Sequence, residues 1–268
     1  MNVVAFKTPA VIETDEQIDA KLTERFNVLE DLAKGAVKGD VKALIVSGPA
    51  GLGKSYTIEK VLEAYDPDGV RSTQIKGYAR ATGLMRQLYK HRQSGDVIVF
   101  DDADTIFYDD TSLNLLKAAT DSSSKRMISW MSEAKFEDDD GDVIPSRFEF
   151  KGTVVFITNI DFDAQIERGH KLAPHLAALV SRAHYIDLAM KTKRDYYVRI
   201  KQVVKQGMLS NEGFTPVEIA DIMQFVEKNF NTLRETSLRS VIKIAALRRS
   251  NPARFESLAR ITCCKNSA

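Results

Sequence analysis

Residues 43–55 read Ala-Leu-Ile-Val-Ser-Gly-Pro-Ala-Gly-Leu-Gly-Lys-Ser, and this stretch decides the fold. Its second part, Gly48-Pro49-Ala50-Gly51-Leu52-Gly53-Lys54-Ser55, fits G-x-x-x-x-G-K-[ST], the pattern of a phosphate-binding loop. Glycines let the backbone curl until successive N–H groups point at phosphate oxygens, and a following helix adds its positive N-terminal end. Lys54 would set its ammonium on the β- and γ-phosphates of a nucleotide, and the Ser55 hydroxyl would ligate Mg²⁺. The bland alternative is a Gly-rich structural turn. Against it stand the apolar strand pattern Ala43–Ser47 before the loop and the helical pattern after it, where Ile58, Val61, Leu62 and Tyr65 share one face.

Working outward, Val97-Ile98-Val99-Phe100-Asp101-Asp102 is an apolar run that ends in two acids. Carboxylates at the end of a buried strand must be desolvated or given a cation, so such a pair calls for a reason. Asp101 would hold Mg²⁺ through water, and Asp102 would orient or deprotonate an attacking water. The competing reading is a helix N-cap, for which Asp104 is equally available.

Further short apolar runs occur at Thr153–Thr158 and His184–Leu188, with a weaker one at Arg71–Ile75. Apolar without strict alternation, they suit strands of a parallel sheet buried on both faces. Leu84, Met85, Leu88 and Tyr89 mark a helix before the Val97 run, and Ile18, Leu22, Phe26 and Leu29 mark a helical preface within residues 11–39. Strands alternating with helices mean a doubly wound α/β domain over residues 1–188. The acidic stretch Phe136–Lys151, with its Asp140-Gly141-Asp142 turn, interrupts the order as a hairpin or loop. From residue 189 to 268 the pattern is a small helical domain. Tyr197, Ile200, Val203 and Val204 line one helix, which Gly207 can cap. Thr215-Pro216-Val217-Glu218 is a capping box opening a second, and Leu238, Val241, Ile242 and Ala245 mark a third.

Composition adds limits. The 268 residues are 44% hydrophobic and 28% charged, an ordinary balance for a globular protein. With 38 basic against 37 acidic residues the net charge is +1, so no global field favours nucleic acid or membrane, although a local basic groove stays open. Cys263 and Cys264 are adjacent and supply neither a disulfide framework nor zinc spacing, which fits a reducing compartment. No apolar run spans a bilayer, and Met1–Ala10 lacks signal-peptide layout, so the expectation is a cytoplasmic protein without a membrane partner.

The order of these elements resembles the AAA+ superfamily over residues 15–250. The resemblance rests on Gly48–Ser55, Asp101-Asp102, Thr153–Asn159, Ser181-Arg182 and a helical domain carrying Leu238-Arg239-Ser240. It implies a P-loop α/β module with a C-terminal helical lid, ATP and Mg²⁺ as cofactors, and ATP hydrolysis. Asn159 matches the sensor-1 position, beside the γ-phosphate; the alternative is a turn-forming Asn. Arg182 matches the arginine finger, which reaches a neighbouring subunit's ATP and implies a homo-oligomeric ring, with a hexamer expected. Its alternative role is a surface Arg closing a helix. Arg239 matches sensor 2 on the lid, with Arg234 a second candidate for that contact. The family's second acid is usually Glu; Asp102 is one methylene shorter, which slows hydrolysis unless the backbone or a second water compensates.

Family rings grip substrates with pore-facing loops. Lys76-Gly77-Tyr78-Ala79-Arg80 corresponds to the first, although Tyr78 in the core is an equal reading. Phe136–Lys151 is the candidate second loop, and Trp130 is read as core. The implied partner is a protein or a protein–nucleic-acid complex, directly or through an adaptor. Two other functions compete: a nucleotide-switched helicase loader or assembly factor with little turnover, and a P-loop kinase, which Asn159, Arg182 and the lid disfavour.

Overall fold

The computed structural model describes residues 13–131, 136–138, 141–169 and 171–265. Met1–Ala10 and Asp140, which entered the sequence reading, lie outside the described residues. The described residues form two compact units, one of residues 25–190 and one of residues 191–265 with 13–24.

Helix α1 (Asp15–Lys38), which passes from the smaller unit into the larger at Arg25, leads into β1 (Ala43–Ser47), α2 (Lys54–Tyr65), β2 (Ser72–Lys76), α3 (Ala81–Lys90) and β3 (Val97–Asp101) of the larger unit. After a 3₁₀ turn, Asp104–Tyr108, come α4 (Asp110–Ala119) and four short strands: β4 (Met127–Ser129), β5 (Phe136–Glu137), β6 (Val143–Ile144) and β7 (Arg147–Glu149). Then follow β8 (Thr153–Thr158), α5 (Phe162–Glu167), α6 (Ala173–Val180) and β9 (His184–Asp187).

Five parallel strands make the main sheet in the order β2-β3-β8-β1-β9. Every residue of β1, β3 and β8 is buried, as runs without alternation require. Edge strand β2 is half-buried and carries Thr73, Gln74 and Lys76. The registers level the strand ends: Ser47 pairs with Thr158 and with Asp187, and Asp101 pairs with Ile157 and with Lys76. Residues that follow β1, β8 and β3 therefore emerge side by side at the carboxyl edge, where open α/β sheets place their ligands. Beneath this edge Phe100 stacks on Phe156 at 5.7 Å, and Phe107 tilts against Phe156 at 5.4 Å. Arg126 is buried in the same unit; its guanidinium donates to the carbonyls of Ala119 and Gly152, both at 2.8 Å, which offset part of the cost of its burial.

The acidic stretch is more than one hairpin. β5 and β6 form one antiparallel ribbon, while β7 turns back to pair with β4, which precedes the stretch. Trp130 is half-buried and meets Phe136 edge-on at 5.3 Å. Asp104 does not cap a helix: the 3₁₀ turn has no side-chain cap, and Asp109 caps α4 through Ser112 N. Its carboxylate goes elsewhere, to Thr158.

The helical unit contains α7 (Lys193–Lys205), α8 (Pro216–Asn229), α9 (Leu238–Ser250) and α10 (Phe255–Cys263). Thr215 and Glu218 form the expected reciprocal capping box, and Thr192 with Asp195 forms a second at the start of α7. Gly207, at φ +106°, follows the end of α7. Ile200, Ile222, Phe225, Val241 and Ile244 fill the centre. α10 is an addition to the expected helices; it packs on α9, and Cys264 beyond it bridges to Leu233.

Candidate functional site

The loop after β1 owes its curvature to three glycines with positive φ: Gly48 (+149°), Gly51 (+75°) and Gly53 (+94°), the last being the N-cap of α2. L-residues with a Cβ rarely adopt these angles. Lys54, the first residue of α2, is only 5% exposed although it carries a charge. Its ammonium donates to the carbonyls of Gly48 and Pro49 and to Asn159 Oδ1, at 2.9 Å for the latter two. Burial of the cation is thus matched by oriented acceptors.

Asn159 follows β8, which lies between β1 and β3, so its amide faces the P-loop on one side and the acids on the other. Oδ1 accepts from Lys54, and Nδ2 donates to Asp102 Oδ1 at 2.8 Å. A continuous chain Lys54–Asn159–Asp102 results. Asp102 is the only non-glycine residue with positive φ among the described residues, at +52°. That left-handed conformation costs about 1 kcal/mol, least for Asp and Asn. Asp102 N is anchored to Ile157 O at 3.0 Å, and the turn brings the shorter acid within reach of Asn159.

Asp101 is buried and points toward the start of α2: Ser55 Oγ donates to its Oδ1 at 3.0 Å. Its Oδ2 accepts from Gln74 Nε2 at 3.0 Å and lies 3.6 Å from the Lys76 ammonium. Lys76 also pairs with Glu59 at 2.9 Å, and that hydrogen bond holds its pKa above the usual lysine value. The sequence reading did not assign Gln74 to the site, and it placed Lys76 only in the candidate pore loop. Their signal was weak: two polar residues spaced i, i+2 on an edge strand next to an acid-tipped strand. The hydroxyl and carboxylate oxygens of Ser55 and Asp101 are hard donors suited to Mg²⁺, which commonly takes one or two protein ligands and completes its shell with phosphate and water. Among the described residues no group of three or more His, Cys, Asp or Glu is placed to hold a metal by itself.

Asp104 stands behind these groups. Thr158 Oγ1 donates to its Oδ1 at 2.7 Å, and burial holds its pKa above the usual carboxylate range.

Lys54, Asn159 and Asp102 thus form one hydrogen-bonded chain and Ser55 with Asp101 a second pair at the same sheet edge, and the Arg182 hydrogen bond to Ala178 belongs to neither. Arg182 follows α6 and donates to Ala178 O at 2.6 Å, closing its own helix. Arg239 is exposed near the start of α9, and Arg234 is exposed ahead of it, in the helical unit. Tyr78 is 66% exposed, which removes the core reading. Arg80 Nε donates to its hydroxyl at 3.0 Å, and the guanidinium lies 5.8 Å from its ring.

The chain is 38% identical over 241 residues to an uncharacterized 36.7 kDa protein from the nrdC–mobD intergenic region of Enterobacteria phage T4, spanning 89% of this chain and 73% of that protein. The chain belongs to the same family as this phage protein, and its fold is AAA+. The fold is that of domain III of the replication initiation protein DnaA from Thermotoga maritima: TM-score 0.52, 13% identity, 91% of this chain and 92% of that one. A Thermotoga maritima RuvB mutant aligns with TM-score 0.49 at 15% identity, over 93% of this chain and 72% of that one. No protein-family profile matches. Among the described residues, no helix is long and apolar enough to cross a membrane.

Proposed function

We propose that this AAA+ chain binds ATP with Mg²⁺ and hydrolyses it as a homo-oligomeric ring, coupling turnover to remodelling or translocation of a protein or protein–nucleic-acid complex. The observation that carries the reading is the chain Lys54–Asn159–Asp102 beside the Ser55–Asp101 pair, which gathers phosphate-binding, water-orienting and metal-ligating groups at one sheet edge.

Backbone N–H groups of residues 48–55 and the Lys54 ammonium bind and orient the phosphates. Ser55 and Asp101 would hold Mg²⁺, which when bound neutralises charge on the β- and γ-phosphates. Asp102 takes or orients the proton of the attacking water, and Asn159 fixes the direction of the Asp102 carboxylate through Nδ2. Arg182 completes the site from a neighbouring subunit, and Arg239 acts as the lid's sensor.

Charge distribution supports a polyanion within the substrate. Residues 191–268 carry 15 Lys and Arg against 7 Asp and Glu, a net +8, which leaves −7 for residues 1–190 of a chain totalling +1. Exposed Lys243, Arg254 and Arg260 lie on or beside α9 and α10.

One observation favours the low-turnover alternative, a nucleotide-switched loader or assembly factor. Asp102 is shorter than Glu and its Oδ1 is already held by Asn159. Mass photometry with ATP, run beside steady-state hydrolysis, separates the two. A ring with negligible turnover under all substrate conditions sinks the motor reading, and a chain that stays monomeric with ATP sinks the ring.

A further inference from the structure

We propose that Asp104 is a positioning residue that acts on Asn159 through Thr158. The proposal rests on the reading that Asn159 serves hydrolysis.

Asn159 has to aim two amide atoms at two charged groups, yet it sits at the exposed end of a strand. The residues on either side of it are pinned instead. Thr158 is fully buried, and its hydroxyl accepts from Ile160 N at 3.0 Å while donating to Asp104 Oδ1 at 2.7 Å. A hydroxyl has one proton; because Ile160 N is itself a donor, that proton must go to Asp104. The hydroxyl thereby closes a tight turn around Asn159, and the Asp104 acceptor fixes which way the hydroxyl faces. Ser47 Oγ grips the same turn from the other side by donating to Ile160 O at 2.7 Å. The backbone adds Gly48 N to Thr158 O at 3.3 Å and Asp102 N to Ile157 O at 3.0 Å. Every neighbour of Asn159 is tied down, and Asp104 is the one charged tie.

Stability does not account for a carboxylate at this place. Burial opposes its charge, and it neither caps a helix nor pairs with a cation in any recorded salt bridge among the described residues. A group that costs folding free energy and touches the tip of β8 is placed for the geometry of that tip.

The test is ATP turnover by the full chain in Thr158→Val, Thr158→Ser, Asp104→Ala and Asp104→Asn, each alone and combined with Asn159→Ala. Thr158→Val and Asp104→Ala should lower kcat roughly 10- to 100-fold with KM for ATP changed by less than about threefold, since about an ångström of misplacement is enough. Thr158→Ser keeps the hydroxyl and Asp104→Asn keeps an acceptor, so both should stay near wild type. With Asn159→Ala present, neither Thr158→Val nor Asp104→Ala should lower kcat further. Equal losses in both backgrounds would show that the ties serve folding and not Asn159, and would overturn the proposal alone. Wild-type turnover in Asn159→Ala would defeat the reading of Asn159 and the proposal with it. If turnover is too slow to follow, the Asn159 side-chain amide signal in a proton–nitrogen correlation spectrum decides. It should shift in Thr158→Val and Asp104→Ala but not in Thr158→Ser, and an unmoved signal in the first two would overturn the proposal.

Discussion

Gly48→Ala tests the argument that the P-loop's shape is set by backbone conformation and by its packing against the end of β9. Gly48 has φ +149°, a region that L-residues rarely enter, and holding a non-glycine residue in such conformations costs of order 1–3 kcal/mol. A Cβ built there lies 3.1 Å from Leu188 Cβ and 3.2 and 3.4 Å from the Leu188 backbone C and Cα. Leu188 has little room to yield, because it is 1% exposed and its N–H donates to Ser47 O at 2.8 Å. Overpacking of this kind adds roughly 1–3 kcal/mol. The sum, about 2–6 kcal/mol, must appear somewhere. If the loop keeps its shape it appears in urea unfolding; if the loop moves it appears in ATP affinity, as about a 30-fold loss or more. Gly169→Ala serves as the comparison: its φ is +65° but nothing lies within 4 Å of the added carbon, so only the conformational cost of about 1 kcal/mol remains. Gly83→Ala, inside α3 with ordinary φ and open space, should stabilise by about 0.5–1 kcal/mol. A Gly48→Ala protein that loses less than Gly169→Ala in both unfolding and ATP binding would refute the reasoning.

Asp102→Asn should bind ATP normally and turn it over at least about 100-fold more slowly, as expected when a general base is lost; unchanged turnover would remove Asp102 from the chemistry. Arg182→Ala gives up its bond to Ala178 O, worth about 1 kcal/mol or less at a helix end, yet should lose roughly 1000-fold in turnover. Mixing it with Asp102→Asn subunits should restore part of the activity, whereas no restoration at any ratio argues against a finger acting between subunits. Asp104 titrates in the folded state above its ordinary value, so its contribution to stability is fully present below about pH 4 and is lost as pH rises through the raised folded value. Asp104→Asn should therefore be more stable than wild type at neutral pH, with the difference shrinking as pH falls toward 4 in chemical unfolding. Lys243→Glu with Arg260→Glu should weaken binding of a nucleic-acid duplex or single strand and flatten its salt dependence by about two counterions; equal binding by the variant and wild type would exclude α9 and α10 as the contact.

Motif and strand pattern carried most of the site's residues, but not its connections. Gly48–Ser55, Asp101-Asp102 and Asn159 were each readable because each chemistry imposes local residue types: glycine for curvature, paired acids after an apolar run, an amide at a strand tip. β1 and β8 begin and end where their apolar runs do, since central strands buried on both faces admit polar residues only as hydroxyls at their ends. β2 was weak and displaced by one residue because an edge strand mixes Thr, Gln and Lys with a single Ile. The β4–β7 ribbon escaped notice because strands of three residues, 20 positions apart, leave no period to detect. α10 was different, for Phe255, Leu258, Ala259 and Thr262 do stand at helical spacing after Pro252. Asp104 is available as a helix cap by sequence position alone, but Asp109 is the residue placed to accept from Ser112 N. What freed Asp104 for another role is the strand order. β8 enters the sheet between β1 and β3, although 51 residues separate the end of β3 from its start. Only that insertion puts Thr158 against Asp104 and lets one amide reach both Lys54 and Asp102. The groups of the site are thus encoded locally, while their hydrogen-bond partners are encoded in a long-range pairing, and substitutions that loosen the end of β8 should impair turnover even where every motif residue is intact.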